Sequence, residues 1–389
     1  MPLKQAITGA EAVAYAMKQI NPDVVAAYPI TPQTPVVEYF AKYVADGVVD
    51  TEMIPVESEH SAMSAVVGAA ASGARAFTAT ASVGLALMHE VVFIAASLRL
   101  PIVMAVANRA LSGPINIHCD HSDAMAERDS GWIQLWAENA QEAYDFTVMA
   151  YKIAEHKDVR LPVMVNFDGF IISHGVEVVE TLDDELVKNF VGKQEKIYPL
   201  LDTSNPVTYG SIDMYDYYFE HKRQQIEAMK HVPSVFKEIA EEFAKISGRK
   251  YDLVDGYMLD DAEYVMVALG STAGTIKHTI NELRKEGKKV GLLKPWMFRP
   301  FSKEEYQRLL TGRKAVVVLD RSASFGAEAP LYQSVKSAIY EVASKPQMGS
   351  YVYGLGGRDI TPHHIRQAFE DAFNGNLIVD EERYLGLRE

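Results

Sequence analysis

A phenol, a hydroxyl and two prolines fall together at Tyr28-Pro29-Ile30-Thr31-Pro32, directly after the apolar run Val24-Val25-Ala26-Ala27. The run has the length and composition of a buried strand. Pro29 forbids regular helix right after it, and Thr31-Pro32 reads as an N-cap and first helical position for the segment that follows. A strand that ends in a tight loop feeding a helix N-terminus is where open α/β sheets bind ligands. The loop is therefore a candidate substrate loop.

Three further loops follow predicted strands and could meet it at one sheet edge: Glu57 to His60, Ala81-Ser82-Val83-Gly84, and Asn108 to Arg128. Glu57-Ser58-Glu59-His60 reads in two ways. It is a capping signature, with Ser58 as N-cap and carboxylates near a positive helix end. It also offers a carboxylate at a strand end able to hydrogen-bond a heterocycle nitrogen, and the two readings can fall on different glutamates. Arg109 stands at the end of a predicted buried strand with no acidic neighbour close in sequence. A guanidinium there needs a partner and could fork onto a substrate carboxylate. The alternative is an arginine that ties down the long loop behind it.

His118-Cys119-Asp120-His121-Ser122-Asp123 packs imidazole, thiol and carboxylate into six residues. A closed zinc site uses two spaced ligand pairs, and one dense patch does not match, so no metal is assigned. A Cys119–His121 nucleophile is disfavoured for the same crowding. The segment reads instead as a polar loop that crosses to a neighbour or covers the site. Gly270-Ser271-Thr272-Ala273-Gly274-Thr275 has the look of a phosphate-binding turn without the P-loop lysine or the dinucleotide spacing. Gly354-Leu355-Gly356-Gly357-Arg358-Asp359 could bind an anion or only turn the chain into a helix begun by Thr361-Pro362.

Strands over 24–27, 53–56, 76–80, 102–107 and 162–167 alternate with helices over 10–20, 34–44, 58–71, 85–96 and 141–156. That rhythm predicts a mostly parallel sheet with helices on both faces. Residues 176–250 break it with charged clusters, the aromatic stretch Tyr215, Tyr217, Tyr218, Phe219, and a charged helical run over 221–249. This reads as a connector that wraps or arms a neighbour. From Ala262 the rhythm restarts with strands over 264–269, 290–293, 315–319 and 351–353 and helices ending near Lys285, over 331–342 and near 364–373, a second and smaller α/β domain.

The chain has 389 residues, 48% of them hydrophobic, and a net charge of −14. Without a basic block, such a chain is a poor match for nucleic acid or anionic lipid, and no run reaches the ~18 apolar residues of a membrane helix. The start, Met1-Pro2-Leu3-Lys4-Gln5, lacks a signal-type apolar stretch, and a cytoplasmic location is expected. The single Cys119 excludes an internal disulfide and a four-cysteine iron–sulfur cluster.

Tyr28 to Pro32, Val56 to Ala62, Gly84 to Glu90 and Asn108 to Pro114 occur in an order that resembles the alpha subunit of the multi-subunit 2-oxoacid:ferredoxin oxidoreductases, most closely the pyruvate:ferredoxin oxidoreductases. Leu269 to Thr275, Arg299-Pro300-Phe301 and Gly354 to Thr361 carry the likeness into the second domain. The resemblance implies a pyrimidine-side, doubly wound thiamine-diphosphate-binding domain with its connector over 1–230, and a transketolase-C-terminal-like α/β domain over 231–389. It implies reversible oxidative decarboxylation of pyruvate with coenzyme A to acetyl-CoA and CO₂, with electrons passed to ferredoxin.

On this likeness Glu59 bonds the cofactor pyrimidine, with Pro29 and Ile30 beside it. Thr31 and Arg109 hold the 2-oxoacid carboxylate, and Tyr28 lies behind them. Mg²⁺ and 4Fe-4S clusters are implied in beta, gamma and delta-type partner subunits, none on this chain. A second alpha chain is implied as a neighbour, and ferredoxin is expected to dock on the other subunits. The small neutral Thr31 favours pyruvate over a doubly charged substrate. Two alternatives stay open: the same chemistry on 2-oxobutyrate, 2-oxoglutarate or oxalate, and a non-catalytic structural subunit.

Overall fold

The computed structural model describes residues 3–377 and 382–388; Met1 and Pro2 of the N-terminal reading lie outside them. The first half, with one strand from the second, builds a seven-stranded sheet in the order Met297–Arg299, Ile133–Trp136, Val163–Asp168, Ile102–Asn108, Ala76–Thr80, Val24–Ala27, Glu52–Pro55. All neighbours are parallel except Met297–Arg299, which joins antiparallel. Ala76–Thr80, Ile102–Asn108 and Val163–Asp168 are buried throughout, as expected for parallel strands covered on both faces. Helices Gly9–Ile20 and Ala140–Glu155 share one core with this sheet, and the Ala-rich Glu59–Ala71 and Ser82–Ser97 share the opposite one. The doubly wound first domain is therefore as the sequence reads.

The second half holds a six-stranded sheet ordered Arg383–Leu385, Gln347–Tyr353, Ala315–Asp320, Tyr264–Ala268, Val290–Pro295, Val254–Tyr257. Only Val254–Tyr257 runs antiparallel. Thr272–Lys285 and Pro362–Phe373 cover one face, Lys303–Leu310 and Pro330–Ile339 the other. Trp136, Ala124 and Met125 of the first half are packed into that second core.

Several elements differ from expectation, among them the strands Ile133–Trp136, Val254–Tyr257, Met297–Arg299 and Arg383–Leu385, which lie outside the expected set. Val176–Thr181 is no connector: it pairs antiparallel with Leu3–Thr8, and helix Asp184–Val191 buries Val187, Phe190 and Val191 in the first core. The long irregular segment is residues 192–217. The charged helix runs Tyr218–Ser247 and passes unbroken through residue 230. Its apolar stripe, including Val232, Phe236, Ile239 and Phe243, lies on the first core. Ahead of it Ile212, Met214 and above all Tyr215, 99% exposed, stand in solvent, as does Phe219 in its first turn. Finally, the helix after the Tyr28 loop begins at Thr34, as expected, but not with the expected cap. Thr31 makes no cap; Gln33 stands at the cap position and Pro35 in the first turn.

Candidate active site

The candidate residues gather at the C-terminal edge of the seven-stranded sheet because each follows a parallel strand. After Glu52–Pro55, Ser58 caps helix Glu59–Ala71 by accepting a hydrogen bond from the Ser61 amide at 3.2 Å. Glu57 accepts the Ser61 hydroxyl, and that bond holds its exposed carboxyl below the usual carboxylate range. Glu59 instead turns inward and is only 6% exposed. The carboxyl bonded at the helix start and the one turned inward thus belong to different glutamates.

Gly84 decides what Glu59 faces. A Cβ placed on Gly84 would stand 2.7 Å from Glu59 Oε1 and 2.6 Å from Thr80 Oγ1. Thr80, at the end of its strand, is fully buried, and its hydroxyl has no hydrogen-bond partner among the described residues. A buried orphan hydroxyl is costly unless something bonds it. A buried carboxyl and an unmet hydroxyl around a residue without a side chain suit the polar edge of a heterocyclic ring.

The Tyr28 loop is held by a residue the sequence reading passed over. Gln33 is fully buried; its Nε2 donates to the Ala79 carbonyl at 3.1 Å and its Oε1 accepts the Ile30 amide at 3.2 Å. A glutamine between Pro32 and Pro35 was the available signal. Tyr28 is 38% exposed, Pro29 is exposed, Ile30 half-buried and Thr31 exposed. The structure brings Thr31 and Arg109 together: Arg109 Nη1 donates to the Thr31 carbonyl at 2.9 Å, and Nε to the Asn116 carbonyl at 2.9 Å. No carboxylate of the described residues forms an ion pair with this guanidinium. Burial lowers its pKa, and Asp123 offsets this only in part.

The dense polar loop, expected to cross to a neighbour or cover the site, lies largely on its own second domain. Asn116 Nδ2 donates to the Gly356 carbonyl at 3.0 Å, Gly356 N to Asp120 Oδ2 at 3.3 Å, and Gly357 N to the Cys119 carbonyl at 2.7 Å. The Gly354 turn therefore receives the chain's own Asp120. The Gly270 turn is filled in the same way. Ser271 donates through N at 3.1 Å and Oγ at 2.5 Å to Asp168 Oδ2. Gly270 has φ +69°, and a Cβ there would meet Asp168 Oδ1 at 2.7 Å.

Asp168 also bonds His121 Nε2 at 2.8 Å and Arg321 Nη1 at 2.9 Å. Burial pushes its carboxyl up, but His121, Arg321 and Ser271 outweigh burial and hold it below the usual range. Cys119, His121 and Asp168 do come within metal-ligand range. The Asp168 charge is already met by Arg321, however, and burial pushes the Cys119 thiol well up.

Residues 15–241 match the family model described as pyruvate flavodoxin/ferredoxin oxidoreductase, thiamine diphosphate-binding, and residues 262–365 match pyruvate:ferredoxin oxidoreductase core domain II. The pyruvate synthase subunit PorA of Thermotoga maritima is 76% identical, the match covering 99% of this chain and 98% of that protein. The PorA subunit of Methanocaldococcus jannaschii is 50% identical, with 98% of each covered. The ketoisovalerate oxidoreductase subunit VorA of Pyrococcus horikoshii is 44% identical over 95% of this chain and 94% of its own.

Among solved structures, the 2-oxoglutarate:ferredoxin oxidoreductase of Magnetococcus marinus superposes with a TM-score of 0.74 at 21% identity. It covers 95% of this chain, which spans 65% of that longer one. A split-gene transketolase superposes with a TM-score of 0.57 at 13% identity, over 95% of this chain and 99% of its own. These two share the fold. With both domains matched in order and whole-length relatives at such identity, the chain belongs to the pyruvate flavodoxin/ferredoxin oxidoreductase family.

Proposed function

We propose that this chain is the alpha-type subunit of a pyruvate:ferredoxin oxidoreductase. It would supply the pyrimidine-side wall of a thiamine diphosphate site and the clamp for the 2-oxoacid carboxylate. The observation that carries the reading is the buried Glu59 carboxyl facing Gly84 and the orphan Thr80 hydroxyl, on the sheet edge that also holds Arg109 against the Thr31 loop.

The residues present fit that cofactor. Glu59 would bond the pyrimidine ring nitrogen N1′ and hold the proton there, with Pro29 and Ile30 contributing loop backbone beside the ring. Thiamine diphosphate supplies, when bound, the electron sink for decarboxylation. Arg109 keeps donor capacity beyond its two carbonyl bonds, which suits a charge-assisted bond to the substrate carboxylate. The Thr31 side chain adds a hydroxyl and no charge, which favours pyruvate. Tyr28 stands at the exposed mouth.

The reading includes partners. Beta, gamma and delta-type subunits would hold the diphosphate with Mg²⁺ and the 4Fe-4S clusters, and a second alpha would adjoin. Coenzyme A would take the acyl group, and ferredoxin would collect electrons from the other subunits. A cytoplasmic location fits the one free, buried cysteine. The chain divides into two domains, and we place the join after Ser247 because the helix crossing residue 230 is seated on the first core. No helix is long and apolar enough to cross a membrane among the described residues.

The test is turnover of the assembled complex with pyruvate, 2-oxobutyrate, 2-oxoglutarate and oxalate, comparing wild type with Glu59→Gln. Glu59→Gln is expected to assemble but to lose about 10²–10³ in kcat, the scale of removing one preorganised polar contact. Near-normal turnover in a folded, assembled variant would refute the assignment.

A further inference from the structure

Asp123 is the hub that links the two halves of the site. It is 1% exposed, on the short helix Ser122–Ala126, and it touches neither proposed ligand directly in the arrangement above. Its Oδ2 accepts the Ser82 amide at 2.9 Å and the Arg109 amide at 3.0 Å. Its Oδ1 accepts Asn108 Nδ2 at 3.0 Å and the Ala124 amide at 2.7 Å. Four donors converge on one carboxylate, and three come from the ends of other elements.

Two of those donors matter most. Ser82 opens the helix that carries Gly84 to Glu59, and it does so in the left-handed region at φ +51°. Few non-glycine residues adopt that conformation unless the surroundings impose it. The Ser82 hydroxyl also donates to the Ala110 carbonyl, so residues 82 and 109–110 are tied twice. Arg109 is the last residue before the loop turns away, and its guanidinium is aimed by carbonyls alone. Asp123 pins the Arg109 amide just past the end of the strand Ile102–Asn108.

We propose that Asp123 is a positioning residue for the 2-oxoacid site. By accepting the Ser82 and Arg109 amides on one oxygen, it fixes the Arg109 clamp relative to the Gly84 and Glu59 wall. This rests on the reading of Arg109 as the carboxylate clamp. A carboxylate has acceptor capacity on both oxygens, whereas an amide has one acceptor oxygen and a donor NH₂. In Asp123→Asn one of the two donor pairs must face that NH₂. With the NH₂ on the Oδ2 side the Ser82 and Arg109 amides lose their acceptor, and on the Oδ1 side Asn108 Nδ2 and the Ala124 amide lose theirs, one residue before Arg109 and on the Asp123 helix itself.

The experiment uses the assembled complex and four chains: wild type, Asp123→Asn, Arg109→Ala and the double variant. Asp123→Asn is expected to raise KM for pyruvate about tenfold and to lower kcat less. Thiamine diphosphate affinity, read by calorimetry, should stay within about twofold. If Asp123 acts through Arg109, the double variant has a KM no higher than Arg109→Ala alone, because contacting residues in one network do not add.

A merely structural role predicts a lowered Tm with KM unchanged, and that outcome overturns the proposal. So does a double variant whose KM rises by the product of the single effects. If Arg109→Ala leaves KM unchanged, the clamp reading itself fails and the proposal falls with it. If Arg109→Ala raises KM while Asp123→Asn does not, the clamp stands and only the role of Asp123 is overturned. Should Asp123→Asn fail to assemble, Asp123→Glu serves as the second probe, since it keeps the carboxylate but moves it by one methylene against the Ser82 and Arg109 amides. A raised KM without loss of cofactor affinity supports the same junction, and an unchanged KM counts against it.

Discussion

At Gly84 the chain has no room for a methyl group. Its missing Cβ leaves the space between Glu59 Oε1 and Thr80 Oγ1, so Gly84→Ala must push the carboxyl out of place or open the helix start. Displacements near 1 Å at a reacting centre cost about 10²-fold in rate. Gly84→Ala is therefore expected to keep its fold and assembly and to lose turnover on that scale, read by steady-state kinetics beside circular dichroism of the complex. Unchanged turnover would show that Glu59 does not need this space. The two neighbouring glutamates show how much a sequence says at this scale. Both were legible as acids at a helix start, and the cap geometry sorts them: Ser58 takes the Ser61 amide, Glu57 the Ser61 hydroxyl, and Glu59 is left to point inward.

The loop from Tyr28 to Gln33 works as an element because its ends are fixed by different forces. Val24–Ala27 is anchored in the sheet between two parallel neighbours, and Gln33 bolts the far end to the Ala79 carbonyl and the Ile30 amide. Gln33→Ala leaves a buried amide and carbonyl unmet, at about 1–3 kcal/mol. At about 2–4 °C per kcal/mol for a domain of this size, Tm should fall several degrees. Because Thr31 rides on this turn, KM for pyruvate should rise as well. A lowered Tm with unchanged KM would detach Thr31 from the substrate. The sequence placed the helix at Thr34 but its cap too early, at Thr31. Thr31-Pro32 has the right residue types for a cap, but the chain spends one more turn, over 31–33, before Thr34.

Across the whole molecule, the two domains are locked through charge. Asp168 ends a strand of the first sheet, and Ser271 and Arg321 bond it from the second domain, with His121 on the same carboxylate. A second seam joins Lys294, 1% exposed in its side chain, to Glu138 at 2.5 Å and Glu142 at 2.6 Å. Removing one partner of a buried pair leaves the other uncompensated, at about 3–5 kcal/mol. Asp168→Asn is expected to unfold earlier by that scale at pH 7.

The pH dependence follows from the sign of the Asp168 shift. Its folded pKa lies below the ordinary carboxylate value, so its contribution is complete above about pH 4 and is lost as pH falls through the folded pKa. The stability gap between wild type and Asp168→Asn should hold from pH 7 to pH 5 and narrow below about pH 4, measured by thermal unfolding. A gap that does not narrow below about pH 4 would refute the electrostatic origin of the lock.

The alternation of apolar strands and helices fixed the fold class from local information alone. Buried parallel strands such as Ile102–Asn108 read as continuous apolar runs, and helices such as Gly9–Ile20 carry their own period. The same local logic put Tyr28, Glu59, Gly84 and Arg109 after strands and hence on one edge. What it could not supply was pairing between residues far apart in sequence. Met297–Arg299 is three residues long and becomes a strand only because Ile133–Trp136 offers an edge. Leu3–Thr8 and Val176–Thr181 each need the other. The two glycine-rich turns and the His118–Asp123 patch read as ligand sites in isolation. Tertiary structure assigned them to each other's chain neighbours, with Asp168 at one turn and Asp120 at the other. A buried carboxylate takes whatever donors the packing brings within about 3 Å, and no local pattern encodes which those will be.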